Sequence, residues 1–85
     1  MVLDFLIWGL NMDIGKYVIT KDGIPHIFDS FIQHDRDYEA INVVSAGFFY
    51  QHKNVYHCHG YSSSLDRNSR DIDSKILTDY FGDNK

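Results

Sequence analysis

The chain has 85 residues, of which 44% are hydrophobic and 24% are charged, with a single proline. This composition indicates one small folded domain and excludes a wholly disordered chain. The formal net charge is −4 and the eight lysines and arginines form no dense run, which argues against non-specific binding to nucleic acid. Cys58 is the only cysteine, which excludes an intramolecular disulfide and a cysteine-rich zinc site. We expect a reducing, cytoplasmic setting and no cofactor.

Residues 1–11 form a strongly apolar segment in which Asp4 is the only charged residue. The segment has no lysine or arginine, unlike a signal peptide, and is too short to span a bilayer, so we expect no membrane association. We interpret it as an extension upstream of a native start at Met12, with residues 12–85 as a single domain. The alternative is an extra strand or short helix that packs on the core or on a second subunit.

Residues 16–21 are rich in β-branched and aromatic side chains and predict a strand. Asp22-Gly23 follows and predicts a type I′ turn, because such a turn needs residues that tolerate a positive φ. Residues 24–28 predict the returning strand. Pro25 lacks an amide donor, which predicts that this strand is short or lies at an edge of the sheet.

Residues 29–40 suit a loop or a short helix, with Asp29 or Ser30 as a cap for one helical turn and a solvated charged stretch after it. Residues 41–50 predict the central strand, because apolar side chains occupy odd and even positions and therefore both faces. Gly47 within this strand predicts a bulge or a close approach of another backbone.

Residues 52–54 predict a turn, and residues 55–61 predict the strand that pairs back. A polar connection leads to a helix with Asn68 or Ser69 as its N-cap and Gly82 at its end. The apolar residues of this helix form one stripe: Ile72, Ile76, Leu77, Tyr80 and Phe81. The element order predicts a small α+β fold, in which one C-terminal amphipathic helix packs on a four-stranded, mainly antiparallel sheet.

One helix covers one face of such a sheet, so the other face of the central strand needs a second cover. The candidates are residues 29–40, residues 1–11 and a second copy of the chain. Six phenylalanines, six tyrosines and one tryptophan are many for so short a chain, so we expect some rings at the surface. We therefore predict an interaction module that forms a homodimer or binds another protein through its sheet. The predicted interface residues are Phe48, Phe49, Tyr50 and Tyr56.

The tripeptide His57-Cys58-His59 lies in a predicted strand, where alternate side chains point to opposite faces. His57 and His59 therefore share one face and form a candidate metal site, with His26 or His52 as a third ligand. The alternative is that both are ordinary histidines on a sheet face. Cys58 is expected to face the core as a small hydrophobic residue.

The connection before the helix combines serines and arginines close to a helix N-terminus, where amide groups and the helix dipole favour anions. It predicts a site for a phosphorylated or nucleotide-like small ligand. The candidate residues are Ser62, Ser63, Ser64, Arg67 and Arg70. The alternative is a solvated connection whose arginines pair with neighbouring aspartates. The chain shows no paired carboxylates, no Ser-His-Asp order and no Gly-x-Ser-x-Gly elbow, so we expect a binding protein rather than an enzyme.

A pattern of short motifs runs from residue 44 to residue 77. It consists of Ser45-Ala46-Gly47-Phe48, then Gly60-Tyr61-Ser62-Ser63-Ser64-Leu65, then Ser69-Arg70 and Asp73. This pattern resembles that of a set of short, uncharacterised bacterial and mobile-element proteins. The resemblance implies a compact stand-alone domain and no particular activity.

Overall fold

The computed structural model describes residues 13–82, which form six strands, two 3₁₀ turns and one α-helix. The strands are β1 (Ile14–Thr20), β2 (Pro25–Phe28), β3 (Val43–His52), β4 (Val55–His59), β5 (Tyr61–Ser62) and β6 (Arg67–Asn68). The 3₁₀ turns are His34–Arg36 and Ala40–Asn42, and the helix α1 is Asp71–Phe81. The predicted small α+β fold, with a four-stranded antiparallel sheet and one C-terminal helix, is confirmed. The predicted boundary between residues 1–11 and 12–85 lies outside the described residues.

The main sheet has the strand order β2-β1-β3-β4, and every neighbouring pair is antiparallel. β3 is therefore a central strand, as predicted, and the four-residue β2 lies at an edge, as Pro25 indicated. Gly47 meets the predicted close approach, because a Cβ atom there would lie 2.6 Å from the carbonyl oxygen of His59. The sheet also has a register irregularity in β3, but not at Gly47: Ile19 pairs with Ser45 and Thr20 pairs with Val43, so Val44 is the extra, bulged residue.

The predicted type I′ turn at Asp22-Gly23 is wrong. Gly23 has a positive φ of 85°, but Asp22 is not among the described residues with positive φ, and a type I′ turn requires it at both central positions. The two-residue loop between β3 and β4 meets that requirement instead, since φ is 53° at Lys53 and 68° at Asn54.

α1 packs on one face of the sheet, which we call the helix face. Five buried residues form its core: Tyr17, Ile19, Phe49, Tyr56 and Leu77. Leu77 is fully buried, whereas Ile72 and Tyr80 of the predicted stripe are exposed. The prediction of Asn68 or Ser69 as N-cap is wrong, because Arg70 is the N-cap residue and Asn68 pairs with Tyr61 in the β5–β6 hairpin. Gly82 follows the last helical residue, as predicted.

Described residues cover only one half of the opposite face of the sheet. There, Leu65 of the β5–β6 connection packs with Val18, Val43 and Ala46 in a second buried cluster. Half-buried side chains from the adjoining segments complete the cluster: Phe28, Tyr38 and Ala40. Tyr38 and Ala40 of the predicted cover 29–40 therefore supply part of the second cover, which agrees with one of the predicted alternatives. The β5–β6 hairpin supplies the rest and was not predicted, because the strand expected over residues 55–61 is broken at Gly60, where φ is 90°.

Both edges of the main sheet are protected. At the β4 edge, the backbone N–H groups of Tyr56 and Cys58 donate hydrogen bonds to the hydroxyl oxygens of Thr78 (2.8 Å) and Ser74 (2.9 Å) of α1. At the other edge, β2 is short and begins with Pro25, which has no N–H to offer. A further strand therefore has few backbone groups with which to pair at either edge.

Candidate functional site

The uncovered half of the sheet carries a row of apolar and aromatic side chains that we call the aromatic face: Ile14, Phe48, Tyr50, His57 and His59. The strand register places these residues side by side, with Tyr50 opposite both Ile14 and His57. Ile14 is 66% exposed and Tyr50 is 47% exposed, and both histidines are exposed. This half of the sheet therefore presents large apolar groups to solvent at fixed spacing.

The rings of the aromatic face contact one another in a defined geometry. Tyr50 stacks on His57 with centroids 4.8 Å apart and planes 19° apart, and Phe48 stacks on His59 with centroids 6.1 Å apart. The edge of buried His34 meets the Phe48 ring from the covered half of the sheet. The sheet fixes the backbone, and stacking restricts the rotamers of these rings. The rings of the aromatic face therefore lose little side-chain entropy when a partner binds.

A shallow groove of about 280 Å³ adjoins the aromatic face at the start of β1. β2 ends at Phe28, opposite Lys16, so β2 does not pair with residues 14 and 15. Gly15 is required there because a Cβ atom would lie 2.6 Å from the carbonyl oxygen of Phe28. The groove is lined by Ile14, Gly15, Ser30, Phe48, Phe49, Tyr50 and His59.

The four predicted interface residues divide between the two faces of the sheet. Phe48 and Tyr50 lie on the aromatic face. Phe49 and Tyr56 lie on the helix face, where they are 1% and 7% exposed and their ring centroids are 5.4 Å apart. We therefore correct the prediction that Phe49 and Tyr56 belong to an interface. Neighbouring strand residues point to opposite faces, and α1 covers the face that carries these two residues.

The predicted metal ligands His57 and His59 do share one exposed face, with Cys58 on the other side against the helix-face core. Among residues 13–82, however, no group of three histidine, cysteine or acidic side chains is placed to hold a metal ion. His26 and His52 are thus not gathered with the pair. The geometry shows the two imidazoles as stacking partners of Tyr50 and Phe48.

The predicted anion-binding residues are not gathered into one pocket. Arg67 donates hydrogen bonds of 2.9 Å to the carbonyl oxygens of Val43 and Ala40, which ties the β5–β6 hairpin to the 3₁₀ segment. Arg70 forms a 2.9 Å ion pair with Asp73, the alternative that the sequence left open. Ser62 is buried and accepts a hydrogen bond from the Leu65 amide, whereas Ser63 and Ser64 are exposed. The phosphorylated-ligand hypothesis stays a prediction without a preformed arrangement of donors.

A buried polar cluster beneath α1 was missed by sequence reasoning. Asp73 is 0% exposed and accepts hydrogen bonds from the Tyr17 hydroxyl at 2.6 Å and from the Arg70 backbone N–H at 2.9 Å. Burial, and then the hydrogen bond to Asp73 and the charge of that carboxylate, raise the pKa of Tyr17 far above its ordinary value. Burial and the same charge raise the pKa of the Cys58 thiol to about 12. The thiol is therefore not an activated nucleophile. The available signal was the position of Asp73, four residues before Leu77 on the buried stripe.

No protein-family model, curated protein or solved structure matches this chain. Over the part of the chain that the structure describes, no helix is long and apolar enough to cross a membrane.

Proposed function

We propose that this protein is an interaction module that self-associates by pairing the aromatic face with the same face of a second copy. The observation that supports the proposal is the exposed, mutually stacked row of rings on a sheet that is otherwise covered. Contiguous exposed apolar groups of this kind are typical of protein-binding surfaces. Tyrosine in particular is enriched at the centres of such surfaces.

The other routes to association through the sheet are restricted. α1 covers the helix face, and hydroxyl groups of α1 accept hydrogen bonds from outward N–H groups of β4. β2 is short and carries Pro25. A partner that binds this sheet therefore contacts side chains on the aromatic face rather than extending the sheet by another strand.

The charges at the aromatic face are compatible with a second copy as the partner. The chain has a net charge of −4, so two copies repel each other weakly at long range. None of the five residues of the aromatic face carries a carboxylate, and Lys16 lies beside it with its ammonium group 5.8 Å from the centroid of the Phe48 ring. A twofold axis through this face therefore brings rings together without burying an acidic pair. The face is small, so we expect a dimer with a dissociation constant of roughly micromolar or weaker.

The experiment is sedimentation velocity over a concentration series with matched tyrosine variants. Tyr50 and Tyr80 are both about half exposed, but Tyr50 lies on the aromatic face and Tyr80 lies on α1. We expect the natural chain to shift from monomer to dimer as concentration rises. Tyr50→Ala should weaken the dimer about tenfold or more, which is the effect of removing a central aromatic residue, and Tyr80→Ala should not.

Tyr50→Asp should abolish the dimer, because the twofold axis would bring two carboxylates together. A mass that stays monomeric up to millimolar concentration contradicts the proposal. Equal weakening by Tyr50→Ala and Tyr80→Ala would place the contact elsewhere.

A further inference from the structure

The groove beside the aromatic face begins one residue after the point at which the N-terminal segment enters the sheet. The Asp13 carbonyl oxygen accepts a hydrogen bond from the Gln51 N–H at 2.7 Å, and its carboxylate accepts one from the Gln51 side chain at 3.2 Å. The next residue, Ile14, lines the groove and is 66% exposed. Asp13, the first described residue, is thus held at the mouth of the groove.

That segment has the composition of a groove ligand. Seven of the residues from Val2 to Leu10 are apolar: Val2, Leu3, Phe5, Leu6, Ile7, Trp8 and Leu10. Its one charged residue, Asp4, is acidic, and the ammonium group of Lys16 lies beside the aromatic face. The segment is therefore apolar like the groove, and its one acidic residue is opposite in charge to the lysine that lies beside the aromatic face.

We propose, in line with the alternative that this segment packs on the folded chain rather than lying upstream of a native start, that residues 2–10 dock in this groove of their own chain and compete there with a second copy. This inference rests on the proposed function for its regulatory meaning, since it assigns an internal competitor to the same surface. Nine residues span up to about 30 Å when extended, so a segment that starts at Asp13 reaches the whole groove. A short tether gives an effective concentration of roughly millimolar, which exceeds that of a second copy in dilute solution.

Trp8 is the only tryptophan and reports on the segment in the full-length chain. In dilute, monomeric protein we expect its emission to be blue-shifted and shielded from iodide. Ile14→Ser, in the groove, should shift the emission towards that of the unfolded chain. Ile72→Ser is the matched control, because Ile72 is 54% exposed but lies on α1, and it should leave the emission unchanged.

A second variant tests the competition. Leu6→Asp combined with Ile7→Asp keeps Trp8 but makes the segment polar, so it should release the groove and favour dimerisation at about tenfold lower concentration. Solvent-like Trp8 emission in the natural chain, or equal shifts from Ile14→Ser and Ile72→Ser, would overturn the inference. So would shielding of Trp8 that appears only as dimers form, because that result means docking on the partner.

The two proposals fail in different ways. If Trp8 emission is solvent-like in a chain whose dimer depends on Tyr50, docking of the segment is contradicted and self-association is supported. Shielding of Trp8 that Ile14→Ser abolishes, in a chain that stays monomeric even with the polar segment, establishes docking and contradicts self-association.

Discussion

The hydroxyl of Tyr17 in β1 donates a 2.6 Å hydrogen bond to the carboxylate of Asp73 in the first turn of α1, 56 residues further along the chain. Both side chains are completely buried. The same carboxylate accepts the Arg70 backbone N–H and pairs with the Arg70 guanidinium, so one acidic group both caps the helix and fixes its start on the sheet. A buried carboxylate is stable only when it is satisfied in this way.

Asp73→Ala should lower the free energy of unfolding by about 2–4 kcal/mol, because it leaves the buried Tyr17 hydroxyl unpaired and removes the helix cap. Tyr17→Phe should lower it by about 1–3 kcal/mol through loss of one donor to the carboxylate. Urea denaturation measures both. Lys75→Gln, which breaks an exposed ion pair with Asp79 on the same helix, is the control and should leave stability unchanged. A change in Asp73→Ala no larger than in Lys75→Gln would show that the buried cluster does not position α1.

The Cys58 thiol should react slowly in the folded protein. Burial, and then the charge of Asp73, raise its pKa to about 12, so very little thiolate is present at pH 8. We expect modification by a colorimetric disulfide reagent to be at least ~100-fold slower in buffer than in concentrated urea, where an unfolded cysteine has a pKa near 8.5. Complete reaction of the folded protein within seconds would contradict the assigned environment of Cys58.

Stability should fall as the pH drops through the range in which an unfolded histidine gains its proton. His34 is 4% exposed, with Nε2 2.8 Å from the Gly47 carbonyl oxygen. Burial lowers its pKa, as does the charge of Lys16, although the hydrogen bond to Gly47 acts in the opposite direction. The unfolded chain therefore takes up a proton at higher pH than the folded protein does. The stabilisation that comes from the lowered pKa of His34 is complete above about pH 6.5. It is lost progressively below that pH, until His34 is protonated in the folded protein as well.

Urea denaturation at pH 7.5, 6.5 and 5.5 measures this dependence. His34→Gln should flatten it, since no titrating group remains at the position, while lowering stability at pH 7.5 through poorer packing against Phe28 and Phe48. Ser63→Ala, at an exposed position, removes no titrating group and is the control that should keep the slope. An unaltered slope in His34→Gln would assign the pH dependence to other groups.

The hydroxyl groups of α1 should protect the outer edge of β4. Ser74→Ala and Thr78→Val each remove an acceptor from an outward N–H group, so each should cost about 0.5–1.5 kcal/mol. Amide hydrogen exchange should accelerate at Cys58 in the first variant and at Tyr56 in the second. The double variant should aggregate more readily on heating, because it exposes an unpaired strand edge.

Ser63→Ala, at an exposed position of the β5–β6 connection, is the control for these variants. Exchange rates at Tyr56 and Cys58 that match those of Ser63→Ala would show that the two hydroxyl groups do not protect the edge.

Local patterns were sufficient for the elements of the main sheet and for α1. β-branched and aromatic runs predicted β1 and β3, and apolar spacing predicted the helix that buries Leu77. Sequence alternation also separated His57 and His59 from Cys58. Such patterns depend on near neighbours in the chain, and so they can be read without knowledge of the tertiary fold.

The features that were missed depend on contacts between distant residues. Arg67 reaches the carbonyl oxygens of Ala40 and Val43, 27 and 24 residues away, and this contact holds the unpredicted β5–β6 hairpin over half of one face. Burial of Asp73 likewise depends on Tyr17. Alternation along β3 and β4 assigns residues to two faces, but only the packed fold shows that α1 covers the face with Phe49 and Tyr56.

The strand order β2-β1-β3-β4 also determines how the chain assembles. Two hairpins with short loops, β1–β2 and β3–β4, meet along one seam in which Ile14 pairs with Tyr50 and Thr20 pairs with Val43. Each hairpin forms from near neighbours, whereas the seam requires closure of the whole intervening loop. We therefore expect zippering of this seam to limit the folding rate, and a chain cleaved between residues 29 and 42 to yield two halves that reassemble along it.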